Sequence, residues 1–226
     1  MPDTARAEPR SPHRGPRAPV APIAADGWPF VLVPLALALG LAGAGWLVPA
    51  GLAAAVAAFM AYFFRDPERT PPATAGAILA PADGRVTEVR DGIQDPFVGP
   101  ARRVVTFLSP LDVHVNRAAI GGRVASVERR PGGFRPANRA DAEGNRSVRI
   151  EVAGDSGRVA MRQVVGILAR RIVCRVGPGD VLEAGERFGM IKFGSRMDVV
   201  MPARTRVTVR TGDRVRAGET ILAVLE

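Results

Sequence analysis

The chain has 226 residues, with 31 basic side chains against 22 acidic, a formal charge of +9 and a single cysteine. One cysteine excludes an internal disulfide and suits a reducing compartment. Lys192 is the only lysine, so any chemistry that tethers pyridoxal phosphate, biotin or lipoate to an amine would have to rest on that residue.

Residues 1–26, with Arg6, Arg10, Arg14 and Arg17 among prolines, read as a disordered basic tail. Residues 27–64 carry no charged side chain. Within them, 28–48 form an apolar run long enough for a hydrocarbon core of roughly 30 Å. A break at Pro49-Ala-Gly51 follows, then a shorter apolar run that ends in Tyr62-Phe-Phe64 beside Arg65, the pattern of an aromatic interface belt. A cleaved signal peptide would have a shorter apolar stretch and fewer Arg and Pro ahead of it. Arginine on both flanks and none in the turn predicts a membrane-anchoring helical hairpin or re-entrant segment, both ends on the cytoplasmic face of the cell membrane. A buried helix pair in a soluble protein is the competing reading. An anionic membrane surface accounts for the arginine excess. With 5% aromatic residues and arginines scattered along the chain, no nucleic-acid partner is expected.

Residues 65–226 form the rest, a β-rich domain large enough for its own core. Short apolar runs separated by glycine turns predict strands over 84–90, 102–108, 122–129, 147–152, 158–165, 172–176, 188–193, 198–201, 206–210 and 220–225, with 164–169 readable instead as a short helix. The fold class is therefore mainly β (α+β), a barrel-like or folded-sandwich domain behind an N-terminal apolar hairpin. An internal echo runs through it. Val176-Gly-Pro-Gly-Asp-Val-Leu-Glu-Ala-Gly-Glu186 returns as Val209-Arg-Thr-Gly-Asp-Arg-Val-Arg-Ala-Gly-Glu219, each a Gly-Asp turn, a short strand and an Ala-Gly-Glu turn. The pattern is similar to the hammerhead units of lipoyl and biotinyl carrier domains. Residues 132–145 lack an apolar period and read as a long loop, either a lid or a plain surface segment.

Gly194-Ser195 carries the sharpest chemical signal. A hydroxyl that follows a glycine can attack the peptide bond just before it, because glycine leaves the carbonyl open and tolerates the distorted backbone. Alone the pair is most often a turn. His114, the only histidine outside the tail, could take the serine proton, or it could be a satisfied core imidazole. Asp83, on an Asp-Gly turn, is the candidate for orienting that ring, against plain turn chemistry; Asp112 is the competing acid and could brace its own loop instead. Ser, His and Asp from separate segments form an activated nucleophile in any chain order. A serine hydrolase would need the Gly-x-Ser-x-Gly elbow, which is missing. Two histidines and one distant cysteine give no metal-ligand spacing, so no metal is expected.

Ala80-Pro-Ala-Asp-Gly84, Phe107-Leu-Ser-Pro-Leu-Asp-Val-His-Val-Asn-Arg117, Arg162-Gln-Val-Val-Gly-Ile-Leu-Ala-Arg-Arg-Ile172 and Gly185-Glu-Arg-Phe-Gly-Met-Ile-Lys-Phe-Gly-Ser-Arg196 occur in this order, and together the chain resembles the small bacterial, pyruvoyl-dependent phosphatidylserine decarboxylases. Two departures are local: Ala119 stands where that family's segment carries proline, and Arg196 follows the serine where a larger branch carries threonine. The resemblance implies autocatalytic cleavage of a proenzyme between Gly194 and Ser195, giving fragments 1–194 and 195–226 that remain a heterodimer. It implies a pyruvoyl group made from Ser195 as the covalent cofactor. It further implies a Schiff base between that group and the amine of phosphatidylserine, loss of carbon dioxide, and release of phosphatidylethanolamine, with His114 returning the proton. Arg117, Arg162 and Arg196 are the candidates for the lipid phosphate and carboxylate. Whether the enzyme forms homo-oligomers is left open at this level. The competing class is a non-enzymatic lipoyl/biotinyl-like carrier or membrane scaffold, which requires Lys192 exposed on a hairpin tip.

Overall fold

The structure, a computed structural model, describes residues 21–137, 139–155, 157–167, 171–192 and 194–226. Nearly all of the expected basic tail, and residues 168–170 of the alternative helix, lie outside these.

A short 3-10 turn (Ala25–Gly27) leads into α1 (Trp28–Gly43), and a three-residue link connects it to α2 (Leu47–Phe63). The two helices pack on each other, and most of their large apolar side chains face outward: Leu47, Val48 and Val33 are 72%, 77% and 69% exposed. At 16 and 17 residues each helix is about 25 Å long. Backbone bonds tie the two ends of the hairpin together, from Ala24 N–H to Phe64 O at 2.8 Å and from Asp66 N–H to Pro22 O at 2.9 Å. The chain therefore enters and leaves the hairpin at one level.

Among the described residues fourteen strands follow: β1 (Ala77–Leu79), β2 (Gly84–Asp95), β3 (Gly99–Leu108), β4 (Val115–Arg117), β5 (Gly122–Arg130), β6 (Ser147–Gly154), β7 (Gly157–Val164), β8 (Ile172–Cys174), β9 (Val181–Leu182), β10 (Arg187–Ile191), β11 (Ser195–Pro202), β12 (Thr205–Val207), β13 (Arg214–Val215) and β14 (Ile221–Leu225). All pairings are antiparallel. Eight strands make one sheet in the order β13-β2-β3-β11-β7-β6-β5-β9, curled as a half-barrel. Two three-stranded sheets, β1-β14-β12 and β4-β10-β8, complete the domain. Val86, Val104, Val124, Ile150, Met161, Met197 and Val199 line the inner face of the large sheet. They share one core with Ile78, Phe188, Ile191 and Leu222 from the small sheets.

The expected strands all appear, several of them shorter or longer than drawn. Four lie outside those ranges: β9 and β13 are the short strands of the two echoed segments, and β1 and β4, three residues each, carry too little period-2 pattern to be drawn as separate strands. The two echoed segments make matching bonds. Asp180 and Asp213 each accept, through a side-chain oxygen, the N–H three residues back (Gly177 and Arg210) at 2.8 Å. Gly179 N–H donates to Val124 O and Gly212 N–H to Val86 O; Gly185 N–H donates to Ala118 O and Gly218 N–H to Ala80 O. Through β9 and β13 the two copies cover the opposite edges of the eight-stranded sheet, edges that would otherwise offer free pairing groups.

Candidate active site

Sheet register brings Ser195 and His114 to one seam. Ser195 opens β11 and pairs with Leu108, the last residue of β3. The chain leaving β3 runs through Ser109–His114 into β4, whose Val115 pairs with Met190 of β10. The chain leaving β10 runs through Lys192 and Gly194 back into β11. The two links thus cross the same gap between the large sheet and a small one, and Ile191 N–H reaches His114 O at 3.4 Å.

At the junction itself, Gly194 has φ +62°, the left-handed region that disfavours any side chain. Its carbonyl packs against Gly166: a Cβ at 166 would lie 2.1 Å from Gly194 O. Gly166 is held there by its predecessor. Val165 N–H donates to Arg146 O, and the buried Asn145 donates through Nδ2 to Val165 O at 2.8 Å while also bonding both backbone groups of Arg135. Ser195 is fully buried, and among the described residues its Oγ has no hydrogen-bond partner. A buried hydroxyl left unpaired costs about 1–3 kcal/mol, which sets this position apart from ordinary core packing.

His114 is also fully buried. Its Nδ1–H donates to the Asp112 carbonyl at 2.8 Å; since a carbonyl only accepts, this fixes the tautomer and leaves Nε2 as a lone pair with no partner among the described residues. Phe63, at the base of α2, lies on the imidazole with ring centroids 4.1 Å apart. Burial pushes the His114 pKa down to about 4, against the opposing pull of Asp112, with Arg65 lowering it further. The ring is therefore neutral and able to accept a proton at neutral pH.

Asp83 does not touch this ring. Its Oδ1 accepts from Ala217 N–H at 2.8 Å and its Oδ2 from Arg69 at 3.0 Å. Burial raises its pKa, and the Ala217 and Arg69 contacts pull the other way. The expected orienting role falls instead to the Asp112 backbone, while the Asp112 carboxylate accepts from Ser109 N–H and braces its own loop. Sequence shows that Asp83 sits on a turn, but its partners come from residues 14 and 134 positions away.

The three arginines expected at the lipid headgroup are already bonded. Arg117 is buried on Asp66, Pro67 O and Gly185 O. Arg196 forms a two-point pair with Asp198 at 2.6 and 2.8 Å and also reaches Glu143; Arg162 reaches Glu143 as well. Side chains alternate along β11, so Arg196 and Asp198 lie on the face opposite Ser195, Met197 and Val199. Arg103, which sequence reading passed over, joins this outer cluster through Glu143. Burial opposes ionisation of Glu143, yet the bonds from Arg196 and Arg162 hold its pKa down to about 2. Glu143 lies in a 3-10 turn (Ala140–Gly144), so the long loop is pinned to the outer face of the sheet.

Three aromatic residues complete the seam: Phe30 stacks on Phe64 at 5.2 Å, Phe64 meets Phe63 edge-on at 4.9 Å, and Lys192 Nζ lies 4.9 Å over the Phe30 ring. The Tyr62-Phe-Phe64 run was legible as an interface belt, but nothing in the sequence ties it to His114. Among the described residues no group of three or more metal-ligating side chains occurs. A concavity of about 700 Å³ lined by Val98, Arg158, Pro202 and Arg204 opens at the far end of β11, roughly 24 Å along the strand from Ser195.

Comparison with known proteins adds an independent finding. A family profile described as phosphatidylserine decarboxylase matches residues 56–223. The chain is 43% identical over 208 residues to the phosphatidylserine decarboxylase proenzyme of Nitrosomonas europaea, covering 89% of this chain and 94% of that one. It is 48% identical to the proenzyme of Chlorobium chlorochromatii over 180 residues, 78% of this chain and 83% of that one. Against the proenzyme of Azorhizobium caulinodans the figures are 40%, with 92% and 91% covered.

Proposed function

The chain belongs to the phosphatidylserine decarboxylase family, and from that membership we propose that it is a self-processing, pyruvoyl-dependent enzyme converting phosphatidylserine to phosphatidylethanolamine and carbon dioxide at a membrane surface. The observation that carries this reading is the Gly194–Ser195 junction, a left-handed glycine followed by a buried hydroxyl with no partner among the described residues.

In this reading Ser195 Oγ attacks the Gly194 carbonyl carbon, and the chain shifts from nitrogen to oxygen as an ester. His114 Nε2 takes the hydroxyl proton and hands it to the departing Ser195 nitrogen; the freed base later takes the Ser195 α-proton as the Gly194 carboxylate leaves by elimination. The residue left at 195 tautomerises, and water displaces its nitrogen as ammonia. The pyruvoyl group so formed supplies an electrophilic carbonyl that captures the substrate amine and accepts the electrons released with carbon dioxide. The seam fits such a group: Ser195 needs no side-chain partner, its neighbours exclude water, and the Gly166 cradle holds the reacting carbonyl in place.

Residues 65–226 act as the catalytic domain. The fragments 1–194 and 195–226 stay together because β11 is paired on both sides, to β3 and β7, and β14 to β1 and β12. The hairpin inserts in the membrane from its cytoplasmic face: its apolar side chains are exposed and both its ends emerge together. The carrier reading loses its footing, because Lys192 is 8% exposed and lies over aromatic rings rather than at a hairpin tip. The matching pair of echoed units supports a hammerhead-like arrangement about a pseudo-twofold without the carrier's function.

Mass spectrometry under denaturing conditions tests the reading. Active protein should yield two chains divided between Gly194 and Ser195, the smaller with a ketone trapped by a hydrazine at residue 195. Ser195→Ala should remain a single inactive chain. Active protein with an unbroken chain defeats the proposal.

A further inference from the structure

The decarboxylase needs a cation for the phosphodiester of its substrate, and Arg117, Arg162 and Arg196 are each held by carboxylates. Lys192 differs. Its side chain is 8% exposed, and its ammonium lies 4.9 Å from the Phe30 ring centre and 5.6 Å from that of Phe64. Among the described residues no carboxylate bonds to it, and Asp26, whose charge bears on it, is paired with Arg175. Burial lowers its pKa. An ammonium held over two aromatic faces has shed much of its water while keeping donors free.

Position supplies the second argument. Phe30 stands in the first turn of α1 and Phe64 just past the end of α2, so Lys192 marks the level where the hairpin leaves the β domain. A phospholipid lying alongside the hairpin has its phosphate at that level. Lys192 is three residues from Ser195, at most about 10 Å of extended chain, which suits a headgroup whose amine must reach residue 195 while its phosphate is held nearby. The geometry points to Lys192 as the phosphodiester-binding residue of the substrate site, with Phe30 and Phe64 as its apolar wall; this rests on the decarboxylase reading.

The test measures binding, so that scission does not enter. Calorimetry on detergent-solubilised, uncut Ser195→Ala protein would compare dihexanoyl phosphatidylserine, dihexanoyl phosphatidylglycerol and phosphate-free O-hexanoylserine, with and without Lys192→Met. Loss of one charge-assisted phosphate contact should weaken both phosphodiesters by about tenfold or more. O-hexanoylserine affinity should stay within about twofold, and Lys192→Arg should recover most of the loss. Unchanged phosphodiester affinity overturns the inference, as does an equal loss for O-hexanoylserine, which would mean that Lys192 reads the carboxylate. Thermal melts of each variant check the fold, and a Met variant that melts early passes the decision to Lys192→Gln. The decarboxylase reading itself fails on a different result, wild-type protein that stays uncut.

Discussion

Gly166 and His114 set the terms at the scale of single residues. A methyl group at 166 would fall 2.1 Å from the Gly194 oxygen, a backbone atom that can retreat only by turning the scissile peptide. Gly166→Ala should therefore slow self-cleavage by about a hundredfold or more, since small misplacements of a reacting group have that effect. The check is the fragment ratio on denaturing gels over time, with circular dichroism confirming that the precursor folds; wild-type cleavage in this variant would leave the cradle without a role. His114 gives a pH signature. The groups facing it are the Asp112 carbonyl and carboxylate, Arg65 and the Phe63 ring. With its pKa near 4 the base form persists far into acid, so the cleavage rate should rise as pH climbs through about 4 and then level off. The same burial has a stability consequence. Below about 6.5 the unfolded chain takes up a proton that the folded chain refuses, so stability falls from pH 6.5 to 4, by roughly 3 kcal/mol in all. Urea titrations of Ser195→Ala at pH 7 and 4.5 should show that slope, and adding His114→Gln should flatten it. Ser195, Gly194 and His114 can be singled out in the sequence because a motif and a lone histidine are local features. The sheet face of Arg162 and Arg196 was not legible, because the side on which a strand residue emerges depends on register, and that pairing joins residues tens of positions apart.

At the scale of elements, the hairpin is latched to the β domain through one carboxylate. Asp66, 6% exposed, accepts from Arg187 Nε at 2.7 and 2.9 Å and from Arg117 at 3.2 Å. Removing its charge leaves two arginines facing each other inside the protein. Asp66→Asn should cost about 3–5 kcal/mol, read as a lowered denaturation midpoint; a shift under about 1 kcal/mol would mean that the latch is held by packing alone. Phe63, Phe64, Val113, Val115 and Met190 share one apolar cluster, so α2 packs directly on β4 and β10. That contact was not legible, because the apolar run from 52 to 64 reads equally well as lipid-facing or protein-facing. The strands were readable where glycine turns bounded runs of five or more residues. The three-residue β4 was not, although it is the element beside which His114 is placed.

The whole molecule is knit across the proposed cleavage site. Fragment 195–226 supplies an interior strand to the eight-stranded sheet and another to the β1-β14-β12 sheet, and its Met197, Val199 and Leu222 are core residues. Cleaved enzyme should therefore migrate as one species in native gels and separate only with denaturant; early release of the small chain would contradict the topology. Deleting residues 1–64 should yield insoluble or uncut protein even in detergent, because it strips Phe63 from His114 and Phe30 from Lys192. The backbone collar of Pro22, Ala24, Phe64 and Asp66 carries a kinetic consequence. On the proposed insertion of the hairpin, the seam around Ser195 is clamped at a constant height against the bilayer, so substrate should arrive by lateral diffusion without being extracted. Turnover then follows the mole fraction of phosphatidylserine in the membrane plane, and diluting vesicles in buffer leaves it unchanged while diluting the lipid with phosphatidylcholine slows it.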